Sequence, residues 1–196
     1  VTERISSGAF GTVYKVEKTN QSGRYVRALK HITIPTERQY TSVLNSMGGD
    51  ISKANNYFEK MLRDIVSEIQ VLNHLSENGV GHIVRYFEND IIMSSNPTRY
   101  DVYILMEYLT PLEEYLRTND FTVGDVLNLA EDVLVALRAC HANGVWHRDI
   151  KDDNIFVAGN GDYKIGDFGV SKVLSDSSKA ESLKGTPSFL APEVYL

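Results

Sequence analysis

The sequence predicts an α+β fold: an antiparallel sheet with one long helix, followed by a mainly helical part. Three observations predict it. The first third alternates apolar and polar residues in runs broken by glycine-bearing turns, the pattern of strands in hairpin succession. Residues 53–76 change to three- and four-residue apolar steps, the period of an amphipathic helix. A second run of that period covers about Thr122 to Asn143.

Taken in order, Val1 to Ser7 reads as a short strand and Thr12 to Glu17 as the next. Gln21-Ser22-Gly23 is a turn signal, and Tyr25 to Ile32 a third strand. Ala54, Tyr57, Phe58, Met61, Leu62, Ile65, Ile69, Leu72 and Leu75 form the apolar stripe of the long helix, with Gly79 and Gly81 as breakers. Two β-rich runs follow, His82 to Glu88 and Tyr100 to Glu107, joined by a polar turn at 94–98. Thr122 with Asp125 three residues later resembles a capping box. Val126, Leu129, Ala130, Val133, Ala136 and Leu137 build that helix's apolar face, and Gly144 suits its end. Short strands are expected at 155–157 and 163–166.

The 196 residues suit one domain or two small lobes sharing a site. A composition of 42% hydrophobic and 23% charged residues is that of an ordinary globular protein. A net charge of -6 argues against a nucleic-acid partner, which leaves a basic footprint. The single cysteine, Cys140, rules out an intrachain disulfide and fits a reducing cytoplasm; its apolar helical setting makes it a buried core thiol. No run approaches the ~20 apolar residues of a membrane span, so no membrane contact is expected in this segment. Val1 opens no signal peptide, and both ends read as cuts in a longer protein.

The chemistry begins at Ser7-Gly8-Ala9-Phe10-Gly11-Thr12-Val13, between two predicted strands. Glycines there let backbone N–H groups approach phosphate oxygens, although a plain hairpin turn explains this motif alone equally well. Lys30 ends the strand Ala28-Leu29-Lys30. On a buried strand it needs a carboxylate partner, and Glu68, beside Ile65 and Leu72 on the long helix, is the candidate. Either residue by itself could equally be a solvated surface charge. Trp146-His147-Arg148-Asp149-Ile150-Lys151-Asp152-Asp153-Asn154 is the strongest signal. Asp167-Phe168-Gly169, Gly185-Thr186-Pro187 and Ala191-Pro192-Glu193 follow it in order.

These motifs resemble the signature of the eukaryotic-type protein kinase family, serine/threonine branch, from Ile5 to Glu193. The resemblance implies a two-lobed kinase fold: an N-lobe at 1–106, a hinge at 107–110 and a partial, mainly helical C-lobe at 111–196. It implies that ATP and Mg2+ (with Mn2+ as an alternative ion) are the cofactors. Ile5, Ser6, Gly8 and Gly11 correspond to the loop over the nucleotide, with Ser6 in place of the family's first glycine. Val13, Ala28 and Phe156 match the apolar positions around adenine, Met106 the gatekeeper, and Glu107, Tyr108 and Leu109 the hinge. Lys30 matches the lysine on the α- and β-phosphates, and Glu68 the glutamate that orients it. Asp149 matches the proton acceptor, Asn154 and Asp167 the metal ligands, Lys151 the lysine on the transferring phosphate, and Thr186 its brace. Asp152 stands where the family usually has proline. His147, Phe168 and Leu72 match members of the apolar spine.

The implied function is transfer of the γ-phosphoryl group of ATP to protein Ser/Thr hydroxyls. A pseudokinase scaffold and a small-molecule phosphotransferase are the alternatives. Against the first stand Lys30, Glu68, Asp149, Asn154 and Asp167; against the second stands the peptide platform at 185–193. The interval from Lys30 to Glu68 is about twice what the resemblance leads one to expect. It marks an insertion near 31–56, either a tolerated surface element or a docking element for a regulatory partner at 31–67. Ser182, four residues before Thr186, is the expected activating phosphosite, with Arg148 as receiver. Because the chain stops three residues past Glu193, before the family's fold is complete, this piece alone is expected to be inactive.

Overall fold

A computed structural model describes residues 3–8, 11–21, 23–77, 79–95, 98–147 and 149–167. The expectations for Arg148, Phe168, Ser182, Thr186 and the 185–193 platform lie outside the described residues. The chain divides into two compact units. One runs to Ser67 and takes in Phe87–Tyr108; the other holds Glu68–Tyr86 and the chain from Leu109.

The first unit is built on a five-stranded sheet of β1 (Glu3–Gly8), β2 (Gly11–Asn20), β3 (Gly23–Ile34), β4 (Tyr86–Ser95) and β5 (Thr98–Glu107), in the order β1-β2-β3-β5-β4. The strands are longer than the alternation marks, because ladder pairing carries Asn20 against Gly23 and Ile34 against Tyr100. In β3, Ala28, Lys30, Ile32 and Ile34 are all buried at two-residue spacing. The pleat therefore puts a lysine on the same face as three apolar residues.

The interval after β3 is helical. Helix α1 (Glu37–Ser46) starts at Thr36, whose hydroxyl accepts from the Gln39 amide N–H while the Gln39 side chain accepts from the Thr36 N–H. Helix α2 (Ile51–Glu77) follows after a short turn. Its buried residues Ala54, Phe58, Met61, Ile65, Ile69 and Leu75 keep the predicted stripe.

The second unit contains a three-stranded sheet of β6 (Thr110–Pro111), β7 (Ile155–Val157) and β8 (Tyr163–Ile165). Two helices belong to it, α3 (Leu112–Thr118) and α4 (Val123–Ala142). The run expected as one strand from His82 to Glu88 is divided. Ile83 bridges Ile165 in parallel, and β4 begins only at Tyr86. The Thr122–Asp125 capping box forms as predicted.

The apolar face expected on α4 is shifted. Ala136 and Cys140 are fully buried, whereas Val126 is about half exposed and Ala130 is exposed. The reason is where the helix is tied: the Asp132 carboxylate accepts the Tyr163 N–H at 2.8 Å, so the side holding Asp132, Ala136 and Cys140 turns toward β8. Burial raises the Cys140 thiol to about 11, leaving an inert core thiol. Among the described residues, no helix is long and apolar enough to cross a membrane.

Candidate functional site

Each unit carries its own share of the predicted site. In the first, β1 and β2 form a hairpin closed by the pair Gly8 and Gly11. Its register slips between Arg4 and Ser6, so Ile5 occupies a bulge and is 39% exposed, while Ser6 lies opposite Val13. Gly11 has φ of 125°, and a Cβ there would collide with the backbone carbonyl oxygen of His31. Glycine is thus required by the close approach of β2 to β3, a demand separate from room for phosphate.

Val13 pairs with Lys30, Ala28 with Met106 and Arg27 with Glu107 across the sheet. Ladder register thus sets the mutual placement of Val13, Ala28, Lys30 and Met106, the four positions matched by resemblance to adenine and phosphate contacts. Lys30 is only 5% exposed. A cation buried to that degree is costly unless it is matched by opposite charge. Glu68 belongs to α2, but its side chain lies outside the description. Glu107 closes β5, and the Lys15 ammonium lies 4.8 Å from the Tyr108 ring centroid.

In the second unit, the loop after Val145 and a 3-10 turn at Asp152–Asn154 bring the polar residues together. Asn154 is buried; its Nδ2 donates to the Asp149 carbonyl at 2.7 Å and to Asp149 Oδ2 at 3.1 Å. Lys151 Nζ approaches the same Oδ2 at 3.0 Å. The carboxylate of Asp149 is therefore held from two directions, by an amide and by an ammonium. The Asn154 main chain continues the link, its carbonyl accepting the Gly166 N–H at 2.9 Å.

Asp167 follows Gly166 with φ of 54°. Few non-glycine residues adopt this left-handed conformation, which costs about 1–3 kcal/mol and gathers at functional sites. Gly166 is equally constrained. A Cβ there would lie 2.7 Å from Val84 Cγ2 and 3.0 Å from Phe156 Cε2. The residue matched to the adenine floor thus also packs against the segment leading to Asp167. Leu109 is half-buried at the head of this unit.

His147 joins these parts. Its Nε2–H donates to the Gly166 carbonyl at 2.9 Å, and its Nδ1 accepts the Asp149 N–H at 3.3 Å. Both bonds suit the neutral ring only, since a protonated ring has no acceptor. Burial lowers its pKa from the ordinary 6.5, against the opposing Gly166 carbonyl and the charges of Asp149 and Asp167. The sign follows from a folded pKa below the unfolded one. The unfolded chain takes up a proton first as pH falls, so stability is lost below about pH 6.5 and regained above it. This loss cannot exceed about 1.4 kcal/mol per pH unit for one proton. Denaturation midpoints of the parent and His147→Gln between pH 5 and 8 test it; the acid-side slope should shrink in the variant.

Several positioning residues were not legible in the sequence reading. His82 Nδ1–H donates to the Tyr163 carbonyl at 3.1 Å, with Asp132 Oδ1 at 3.3 Å. Together with the Asp132–Tyr163 bond, this ties α4 to β8 and so to Asp167. Nothing local in the sequence links His82, Asp132 and Tyr163. The Thr36-x-x-Gln39 capping pattern, in contrast, could have revealed α1.

A protein kinase domain model matches residues 1–195. The cell cycle serine/threonine-protein kinase CDC5/MSD2 of Saccharomyces cerevisiae is 33% identical over 150 residues, covering 74% of this chain and 20% of that protein. The serine/threonine-protein kinase dst2 of Dictyostelium discoideum is 31% identical over 196 residues, covering 98% and 14%. Mitogen-activated protein kinase kinase kinase 3 of Arabidopsis thaliana is 30% identical over 203 residues, covering 99% and 27%. The chain spans less than a third of the length of these relatives.

Proposed function

This chain belongs to the protein kinase domain family, and from that premise we propose that it transfers the γ-phosphoryl group of ATP to serine and threonine hydroxyls of proteins. The observation that carries the proposal is the convergence of Asn154 Nδ2 and Lys151 Nζ on Asp149 Oδ2. Relatives bearing serine/threonine-kinase names support the choice of hydroxyl. In this reading Asp149 orients the substrate hydroxyl and takes its proton. The hydroxyl oxygen bonds to the γ-phosphorus as the bond to the bridging oxygen breaks, leaving ADP with the electron pair. Lys151 balances charge on the phosphoryl in transit, and Lys30 holds the α- and β-phosphates. The roles that the family resemblance gives Thr186, outside the described residues, and Glu68, whose side chain is outside the description, belong to the same reading.

Mg2+ fits the donors present. The Asn154 amide nitrogen donates to Asp149, and the Asn154 Oδ1 and the Asp167 carboxylate would be the oxygens that hold the ion. Among the described residues there is no cluster of three or more His, Cys, Asp or Glu side chains that could hold a metal. A hard ion that relies on few protein oxygens and completes its shell with phosphates and water is what such a pair suits. When bound, the ion would neutralise charge on the phosphate oxygens. The single buried thiol suits a reducing compartment, and the cytoplasm is the proposed location.

The test supplies the full-length protein with γ-labelled ATP, Mg2+ and peptide pools differing only in a central Ser, Thr or Tyr. Label should enter the Ser and Thr pools and vanish with Asp167→Ala. Label confined to the Tyr pool would overturn the hydroxyl assignment. Nucleotide binding without transfer above the Asp167→Ala level would favour a scaffold.

A further inference from the structure

We infer that the free edge of β4 takes up an extended peptide of another protein, one with Lys or Arg at alternate positions followed or preceded by an apolar residue. The inference does not depend on the function proposed above. In the order β1-β2-β3-β5-β4, β4 ends the sheet, and among the described residues no further strand pairs with it. The rim of such a strand offers main-chain N–H and carbonyl groups to a chain that lies alongside. At ten residues, Tyr86–Ser95, β4 is longer than the usual strand of about five or six. It has neither Lys nor Pro, two of the commonest means of closing an edge. From Glu88 to Ser94 only Ile91 is half-buried; the rest are exposed, Ile92 at 55% and Met93 at 63%. The Ile91 N–H donates to the carboxylate of its own neighbour, Asp90 Oδ1, at 2.8 Å, so a main-chain donor here is served by a side chain.

Charge selects the occupant. Glu88, Asp90 and Ile92 stand two residues apart, which in a strand puts them on one side of the pleat. Neither carboxylate forms an ion pair among the described residues. A strand alongside with cations at two alternate positions would meet both, and its next alternate residue would meet Ile92. Opposite charges facing each other across strands stabilise the pair, and like charges oppose it. A second copy therefore fits badly: antiparallel pairing of β4 with itself would crowd both Glu88 and both Asp90 carboxylates along one seam. Nor does this stretch of chain hold the matching pattern, since nowhere in the 196 residues do two Lys or Arg stand two positions apart. The main chain of β4 would supply the affinity and the Glu88–Asp90–Ile92 side the selectivity.

The test uses two fluorescent probes, Val-Lys-Val-Lys-Val-Ile-Val and its reverse order, one for each strand direction. Neither holds a hydroxyl residue, so phosphoryl transfer, present or absent, does not enter. Anisotropy with the full-length protein should show that one probe binds at least tenfold more tightly than its copy with Glu in place of Lys. The double variant Glu88→Lys, Asp90→Lys, checked for folding by circular dichroism, should reverse that preference. Methylating the backbone nitrogens along one edge of the bound probe should weaken binding at least tenfold, and along the other edge by less than twofold, because only one edge faces β4. Binding by neither probe overturns the inference. So does an unchanged preference in the double variant, or an equal effect of methylation on both edges. A parent dimer in sedimentation that dissociates in Ile92→Asp would also overturn it and assign the edge to a second copy.

Discussion

Asp149→Asn is expected to slow phosphoryl transfer by about 10²–10⁴-fold, the usual contribution of a positioned general base, with ATP affinity within about twofold of the parent. The two effects separate because of what Asp149 touches. Its carboxylate is engaged by Asn154 Nδ2 at 3.1 Å and by Lys151 Nζ at 3.0 Å. Its backbone carbonyl and N–H are engaged by Asn154 and His147. An asparagine keeps the shape and the main-chain bonds, so the loop stays in place. It removes the negative charge that holds Lys151 and the basic oxygen that would accept a proton. Single-turnover rates beside equilibrium nucleotide binding measure the two quantities. A selective loss of ATP affinity, with the rate nearly intact, would overturn the assignment of Asp149.

Lys30→Met is expected to lower transfer by about 10²–10³-fold, the loss seen when one preorganised electrostatic contact is removed, while the fold persists. Lys30 is 5% exposed on the β3 face that also buries Ala28, Ile32 and Ile34. Methionine nearly matches the lysine stem in length and suits those neighbours, so packing is kept. The ladder pairs to Val13 and Ile104 are backbone features and do not depend on the side chain. What disappears is the cation. Transfer within tenfold of the parent, measured where both proteins are folded by circular dichroism, would contradict the role given to Lys30. A collapse of the folded signal would show that the charge is needed for the core as well.

Periodicity was enough for the elements whose stabilisation is local. The alternation around Lys30 and the three- and four-residue steps of α2 survive in the structure because burial follows the pleat and the helical turn directly. The capping box at Thr122 forms for the same reason, its partners lying three residues apart. The polar loop at 146–154 was legible as chemistry because its residues, in order with the motifs that follow, resemble the protein-kinase signature.

What remained hidden needed partners distant in sequence. The bulge at Ile5 arises from register with β2, and Gly11 is required by a carbonyl on β3. The buried side of α4 is chosen by Asp132 binding Tyr163, so an apolar residue such as Val126 was counted toward a face it does not join. The tautomer of His147 is decided by Gly166, nineteen residues on, and by Asp149 together. Residue order alone indicated most of the strands and the two long helices, since these depend on neighbours within a few residues, and the motif resemblance named the side chains expected to carry the chemistry. Tertiary structure decided which faces are buried, which glycines are obligatory and which atoms of Asp149, Asn154 and His147 meet, since those depend on hydrogen bonds and excluded volume between segments that only folding brings together.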